Sequence, residues 1–415
     1  MRGIRCYVAE SGSVDMPAES DPVAIEESSP ERMVPRCPHF GPCGGCLWQH
    51  LDYPAQLRAK QAIVTESLGD LNGPAGALIR PVIGLGDPWY YRNKMEFSFQ
   101  PPARLGLHRR GRWDDIVDLQ TCFLQSPRTA EIINVVRDFI HARDIPCYDR
   151  RTHQGVLRNL VIREGKSTGE LLIALITALG PFPQATEFGE MLTARFPDLT
   201  GLLWAITPHK RDTPEVQDVR VLHGRPFIYE RLHELTFKLG LLTFFQTNTV
   251  QAERMIDIVR EFADPGGSDR VLDLYCGIGT FALALAPRAA AITGFEVVPA
   301  SVEAAKENAA LNGIENATFH RADVRRFEHF LPPGEEPDLV VLDPPRAGAG
   351  AQVMRALGRV GPRRVVYISC NPMSLAADLR ALTPAGYTVR TVQPIDLFPQ
   401  THHVECVVLL EHTTP

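Results

Sequence analysis

Nine cysteines in a chain of 415 residues are the first residues whose spacing points to chemistry. Three of them stand in "CPHFGPCGGC", where Cys37, Cys43 and Cys46 form C-x5-C-x2-C in a Gly/Pro-rich loop that lets three thiolates converge on one centre. A fourth ligand is required, and Cys122, in "IVDLQTC" after a strand-like run, is the best candidate. Four thiolates suit a tetrahedral zinc ion as well as an iron–sulfur cluster. Cys6, Cys147, Cys276 and Cys406 are left as non-ligands. Cys370 is different: it closes the apolar run of "VVYISCNPMSL" and is followed by Asn371-Pro372 and the start of a helix. Such a cysteine is either a small buried filler or a nucleophile delivered by the end of a strand.

A second constellation surrounds "LDLYCGIGTFA". Gly277, Gly279 and Ala282 satisfy G-x-G-x-x-G/A, and Glu296 ends the next strand-like run about 20 residues on, where an acid accepts hydrogen bonds from ribose hydroxyls. Both a nicotinamide dinucleotide and S-adenosylmethionine fit that pattern. "LDPPRAG" tilts the choice, because Asp343 followed by two prolines fixes a rigid loop where ligands bind in such folds. A dehydrogenase has no need of that loop, whereas a methyltransferase uses it to hold an acceptor base against the methyl donor. Cys370 then acquires a job. Carbon 5 of uracil is a poor nucleophile, and a thiolate added at carbon 6 pushes electron density onto it; a base must afterwards remove the carbon 5 proton. Glu405, in "VECVVLL" after "FPQTHH", is the base candidate, with His403 behind it.

The elements that must carry these residues are legible from periodicity. "RVLDLY" (270–275), "AAITGFE" (290–296), "DLVVLD" (338–343) and "RRVVYIS" (363–369) are short Val/Ile/Leu-rich runs suited to strands buried on both faces. Between them, "PASVEAAKENAALNG" opens with Pro299 and closes at Gly313, the asymmetry of helix ends. Ala252, Met255, Ile256, Val259 and Phe262 form an apolar stripe at helical spacing, with Asn248 placed to cap it. Strands alternating with helices predict an α/β fold, a doubly wound Rossmann-like sheet, at 241–415. A smaller α+β region is expected at 37–240, after a flexible acidic extension at 1–36 holding seven acids and four arginines.

Composition sets the surroundings. An apolar share of 44% is ordinary for a globular protein, and the net charge of -6 gives no global sign of a nucleic-acid partner. The first twenty residues lack an apolar core, and no apolar run reaches the ~20 residues of a membrane span. A cytoplasmic protein with reduced thiols and no membrane partner is expected. "ARLGLHRRGRW" gathers Arg104, Arg109, Arg110 and Arg112 around a turn, as a solvated hairpin tip or a phosphate-contacting loop.

"FFQTN", "LDLYCGIGTF", "LDPPRAG", "YISCNP" and "FPQTHHVE", in this order, resemble the RNA uracil-5-methyltransferase family, and the resemblance runs from about residue 37 to the C-terminus. It covers "YRNKMEFSF" (91–99) and "LRNLVIR" (157–163) as well. The resemblance implies Cys370 as nucleophile and Glu405 as proton acceptor. It implies S-adenosylmethionine contacts from Gln246, Tyr275, Glu296, Asp343 and, more weakly, Asp323, with Phe244 stacking on the target uracil. Thr280 stands where some ribosomal members have Asn. The cysteine spacing resembles the [4Fe-4S] site of the 23S ribosomal-RNA branch, which favours Cys37, Cys43, Cys46 and Cys122 as cluster ligands. The expected substrate is a uridine in structured RNA, ribosomal RNA before transfer RNA. Many relatives begin with a small RNA-binding β-barrel that 36 residues cannot build; RNA affinity is therefore expected to rest on the cluster region and on basic loops such as Arg109 and Arg110, in a monomer.

Overall fold

The computed structural model of the chain describes residues 31–69, 78–210, 216–331, 334 and 336–413. Most of the expected extension, and Cys6 with it, lies outside the described residues.

After helix α1 (Tyr53–Leu68) and the short strand β1 (Leu78–Ile79), the chain builds a sheet from β2 (Lys94–Gln100), β3 (Arg104–His108), β4 (Ile116–Asp118), β5 (Leu157–Glu164), β6 (Leu171–Ala178), β7 (Gly201–Thr207) and β8 (Asp218–Gly224). Its order is β4-β3-β2-β5-β6-β7-β8, antiparallel except for the β6–β7 pair. Helix α2 (Pro127–Ala142) joins β4 to β5, and α3 (Ala185–Arg195) makes the crossover that a parallel pair requires. Side chains alternate across a strand. Leu171, Ile173 and Leu175 of β6 accordingly pack with Ile132, Val136 and Phe188 of the two helices. Leu172, Ala174 and Ile176 enter the opposite core.

That opposite core is shared. It contains β9 (Phe227–Leu232), β10 (Leu235–Gly240), α4 (Thr249–Ala263) and one face of a second sheet. The stripe Ala252, Met255, Ile256, Val259 and Phe262 is buried there as expected, and Asn248 caps α4 by accepting from the Gln251 amide at 3.2 Å. The second sheet adds β11 (Arg270–Leu274), β12 (Ala291–Glu296), β13 (Ala317–Arg321), β14 (Leu339–Leu342), β15 (Arg364–Ser369), β16 (Tyr387–Ile395) and β17 (Glu405–His412). Its order is β1-β16-β17-β15-β14-β11-β12-β13, with β17 antiparallel to both neighbours. Helices α5 (Thr280–Leu285), α6 (Pro299–Leu311), α7 (Gly350–Val360) and α8 (Pro372–Leu382) connect these strands. The four predicted strands are β11, β12, β14 and β15, and the sheet has the Rossmann-like α/β form that the sequence implies.

Part of the chain before residue 240 packs with the second sheet. Val64 and Leu68 of α1 are buried with the α7 and α8 side of the second sheet, and β1 pairs with β16. Among the described residues, no helix is long and apolar enough to cross a membrane.

Candidate active site

The site lies at the carboxyl edge of the parallel strands, and strand register assembles it. Leu274 pairs with both Phe295 and Leu342, so Tyr275, Glu296 and Asp343 reach the same edge. Ser369 pairs with Cys406. Because β17 runs antiparallel, the next residue outward on each strand is Cys370 on one and Glu405 on the other, side by side. Cys370 is half-buried and in no disulfide. Directly after it, Asn371 caps α8, its side chain accepting from the Met373 amide at 3.1 Å. Asn371 Nδ2 and Ser374 Oγ also donate to the Arg346 carbonyl at 3.3 and 3.0 Å, which ties the D-P-P-R loop to the cysteine turn.

The acids differ sharply in surroundings. Glu405 is only 5% exposed, and burial, then the nearby Asp343 charge, pushes its carboxyl up to about 8 against a smaller opposing pull from Arg346. Burial likewise pushes Asp343 up to about 7. Gln246 Nε2 donates to Asp343 Oδ2 at 3.4 Å. His403 Nδ1 lies 3.3 Å from Arg346 Nη1, and burial with these cationic neighbours keeps the ring well below its ordinary range, neutral.

The glycine loop after β11 is a cradle of left-handed backbone. Tyr275, Gly277 and Gly279 have φ of +62°, +53° and +87°, which costs a glycine little and a tyrosine more. Glu296 braces it: its carboxylate accepts from the Gly277 amide at 3.2 Å and the Val298 amide at 2.8 Å. Thr280 begins α5 directly behind the loop. Asp323 caps the following 3-10 turn and pairs with Arg325 at 2.6 Å, which holds its carboxyl below the usual range. Phe244 is 41% exposed. Its loop is fastened by the two upstream motifs: Arg163 Nη2 donates to the Thr243 carbonyl at 2.6 Å, and Asn93 Nδ2 to the Gln246 carbonyl at 2.8 Å.

Sequence reasoning missed three residues here. Asp273, in the middle of apolar β11, is buried and pushed far up by desolvation; its Oδ2 accepts from the Ala282 amide at 3.0 Å. A carboxylate inside a strand buried on both faces was the available signal. Lys60 and Asp396, both fully buried, form an ion pair behind the site; they lie 336 positions apart, and nothing local marks them.

Cys37, Cys43, Cys46 and Cys122 line one cavity, together with apolar side chains including Phe40, Leu107 and Phe123. Among the described residues, no three Cys, His, Asp or Glu side chains form a ligand set for a metal ion. Burial pushes the Cys43 thiol up to about 12, and its cysteine neighbours add to this. A cationic metal centre is the partner that would convert such thiols to thiolates. The cysteine loop pairs with the basic hairpin: Gly44 N donates to the His108 carbonyl and Arg110 N to the Pro42 carbonyl, at 3.0 and 2.9 Å. Part of that hairpin's charge is neutralised in place. Arg104 and Arg109 both pair with Asp115, at 3.0 and 2.6 Å, and Arg112 pairs with Asp114 at 2.9 Å.

A glycine loop braced by an acid on the next strand, at the carboxyl edge of the sheet, is the site form of a Rossmann-like fold, and its relatives give its class as an S-adenosylmethionine-dependent methyltransferase. The model of the tRNA (uracil-5-)-methyltransferase family matches residues 212–332 and 334–413. An RNA methyltransferase of Bacteroides thetaiotaomicron is 38% identical, the alignment covering 95% of this chain and 91% of the relative. One from Porphyromonas gingivalis is 39% identical, with 94% and 90% covered. The crystal structure of Pyrococcus abyssi tRNA (uracil-54, C5)-methyltransferase with S-adenosyl-L-homocysteine superposes with a TM-score of 0.76 at 30% identity, covering 92% of this chain and 86% of that one. The chain belongs to the RNA uracil-5-methyltransferase family and is an S-adenosylmethionine-dependent enzyme.

Proposed function

We propose that the enzyme makes 5-methyluridine at one uridine of structured RNA through a covalent adduct between Cys370 and carbon 6 of the base. The observation that carries this is the adjacency of Cys370 and Glu405 on paired strands, beside the Asp343 loop. Cys370 Sγ forms a bond to carbon 6, and the displaced ring electrons make carbon 5 nucleophilic. S-adenosylmethionine, which Gln246, Tyr275, Glu296, Asp343 and Asp323 would hold, would supply the electrophilic methyl group that carbon 5 takes, with S-adenosylhomocysteine as the leaving group. Glu405 then takes the carbon 5 proton, the ring double bond re-forms, and the thiolate leaves. A carboxyl pushed up to about 8 is, in its ionised form, a stronger base than an ordinary carboxylate, which suits it to take the carbon 5 proton. Phe244 offers an exposed ring on which the target base, unstacked at a cost of a few kcal/mol, can rest.

Ribosomal RNA, 23S in particular, is the favoured substrate, because four cysteines around one cavity match the cluster-bearing ribosomal branch. A transfer-RNA uridine is the second reading, supported by the activity of the Pyrococcus abyssi enzyme. We propose a [4Fe-4S] centre held by Cys37, Cys43, Cys46 and Cys122; an all-sulfur donor set in an apolar pocket suits it. Region 37–240 is the RNA-binding part in this reading. Arg110 is the hairpin arginine best placed to meet a phosphate, since its side chain makes no ion pair among the described residues. RNA carrying 5-fluorouridine tests the mechanism. Fluorine cannot leave as a proton, so a denaturation-resistant protein–RNA adduct should accumulate, and its absence would sink the covalent route. Labelled methyl transfer to separated ribosomal and transfer RNA decides the substrate.

A further inference from the structure

The segment that follows Cys46 reaches across the molecule to the loop between β16 and β17. That loop leaves the sheet at Ile395 and returns at Glu405, and these two residues are paired with each other. It is therefore a closed excursion of the Ω type, with the proton acceptor as its exit. Gln400, 2% exposed, sits at φ +69°, a backbone conformation that a non-glycine residue keeps only under outside support. The support is visible. Its carbonyl accepts from the Leu47 and Trp48 amides at 2.8 and 3.0 Å. Gln56 on α1, 1% exposed, forms a reciprocal pair with it: Gln56 Nε2 donates to Gln400 Oε1 at 3.0 Å, and Gln400 N donates to Gln56 Oε1 at 2.9 Å. Lys60 Nζ donates to the Phe398 carbonyl at 3.0 Å, and Tyr53 donates to Asp396 at 2.8 Å. Within the loop, Thr401 Oγ1 links the Phe398 carbonyl to the His403 amide, so a shift at Gln400 is passed on towards His403, two residues before Glu405.

We infer that residues 47–60 are a strut that holds the 396–404 loop around the Glu405 carboxyl, with Gln56 as a positioning residue for the proton-removal step. This rests on the proposed roles of Cys370 and Glu405. Attack by Cys370 depends on the β15 end and the Arg346 turn, and donor binding on Gln246 and the β11, β12 and β14 ends; the side-chain bonds of Gln56 go to Trp48, Leu51 and Gln400 instead. Loosening the strut therefore slows release of the methylated adduct while leaving its formation in place. A misplacement of about 1 Å can cost on the order of 10²-fold in such a step.

The test uses the full-length protein with iron content and S-adenosylhomocysteine binding measured alongside. Gln56→Leu, on ordinary RNA, should accumulate a methylated covalent adduct and turn over at least about tenfold more slowly, and the pH profile of adduct release should move. S-adenosylhomocysteine affinity and iron content should stay within about twofold, below the tenfold expected of turnover. Slower turnover without adduct, or an unchanged rate, overturns the inference. If Gln56→Leu does not fold, Gln400→Gly carries the test, since glycine keeps the backbone conformation and removes only the side-chain partner; it should stall in the same way. Glu405→Gln in an intact strut separates the two readings. Adduct there supports the base assignment whatever Gln56 does, and free product at the wild-type rate removes that assignment without reference to the strut.

Discussion

The strand-edge site and the cysteine site are built on opposite principles. At the sheet edge, every proposed reacting side chain sits at the end of a hydrogen-bonded element, and its position follows from register and from packing of the strands behind it. Around Cys37–Cys46 the chain runs as turns and bends, held by a few backbone bonds to the β3–β4 hairpin. The first site is preorganised by its scaffold; the second leaves four cysteines, two of them buried and two half-buried, lining one cavity, the arrangement for which a metal centre is proposed above. A lesion at the first should therefore cost chemistry, and a lesion at the second should cost order and RNA affinity.

Cys370→Ala gives the sharpest form of the contrast. Turnover should fall by ~10³-fold or more, as for other nucleophile deletions, while S-adenosylhomocysteine affinity, read by calorimetry, stays near wild type. Comparable turnover by the variant would break the comparison at its first half.

Cys43→Ser attacks the other half. Anaerobically purified wild type should be brown with about four irons per chain, and the variant colourless. Because the cysteine loop is paired with the hairpin that carries Arg110, RNA affinity should weaken more than donor affinity. Active, colourless, zinc-containing wild-type protein would mean a mononuclear site instead.

A smaller effect separates the two regions through pH. Glu405 and Asp343 are pushed up to about 8 and about 7, well above the ordinary carboxylate range of about 4. Between these limits the folded protein holds protons that the unfolded chain has released, so stability falls as pH rises through this window. Glu405→Gln removes one such group. Its melting temperature should exceed that of wild type at pH 9 by about 2–4 °C and converge with it at pH 4. An identical gap at both pH values would mean that Glu405 titrates normally.

The smallest effect concerns Arg110. Substitution by Ala should lower the slope of log affinity against log salt by about one, the signature of one lost phosphate contact. The same change at Arg109, already paired with Asp115, should do less; equal losses would argue for a diffuse basic surface.

The legibility of the molecule follows the same division. β11, β12, β14 and β15 were readable because strands buried on both faces are written as apolar runs, and Asn248, Pro299 and Gly313 punctuate their helices as local sterics demand. Cys370, Glu405 and Asp343 were readable because they interrupt apolar strands at their ends. The fastening of the β16–β17 loop to α1, and the Lys60–Asp396 pair, were not, since long-range contacts between ordinary residues leave no periodic trace. The hairpin showed as a run of arginines, but its neutralisation by Asp114 and Asp115 depended on side-chain directions that charge counting ignores.

The alternation along β6 has a consequence for modularity. Leu171, Ile173 and Leu175 face one core while Leu172, Ala174 and Ile176 are shared with the methyltransferase sheet's side. A chimaera that transplanted the β2–β8 sheet from a relative would have to carry that second row of side chains matched to its new host. In the proposed reading, where region 37–240 binds the RNA, substrate preference is inherited together with one wall of the catalytic scaffold, and the two can diverge only in step.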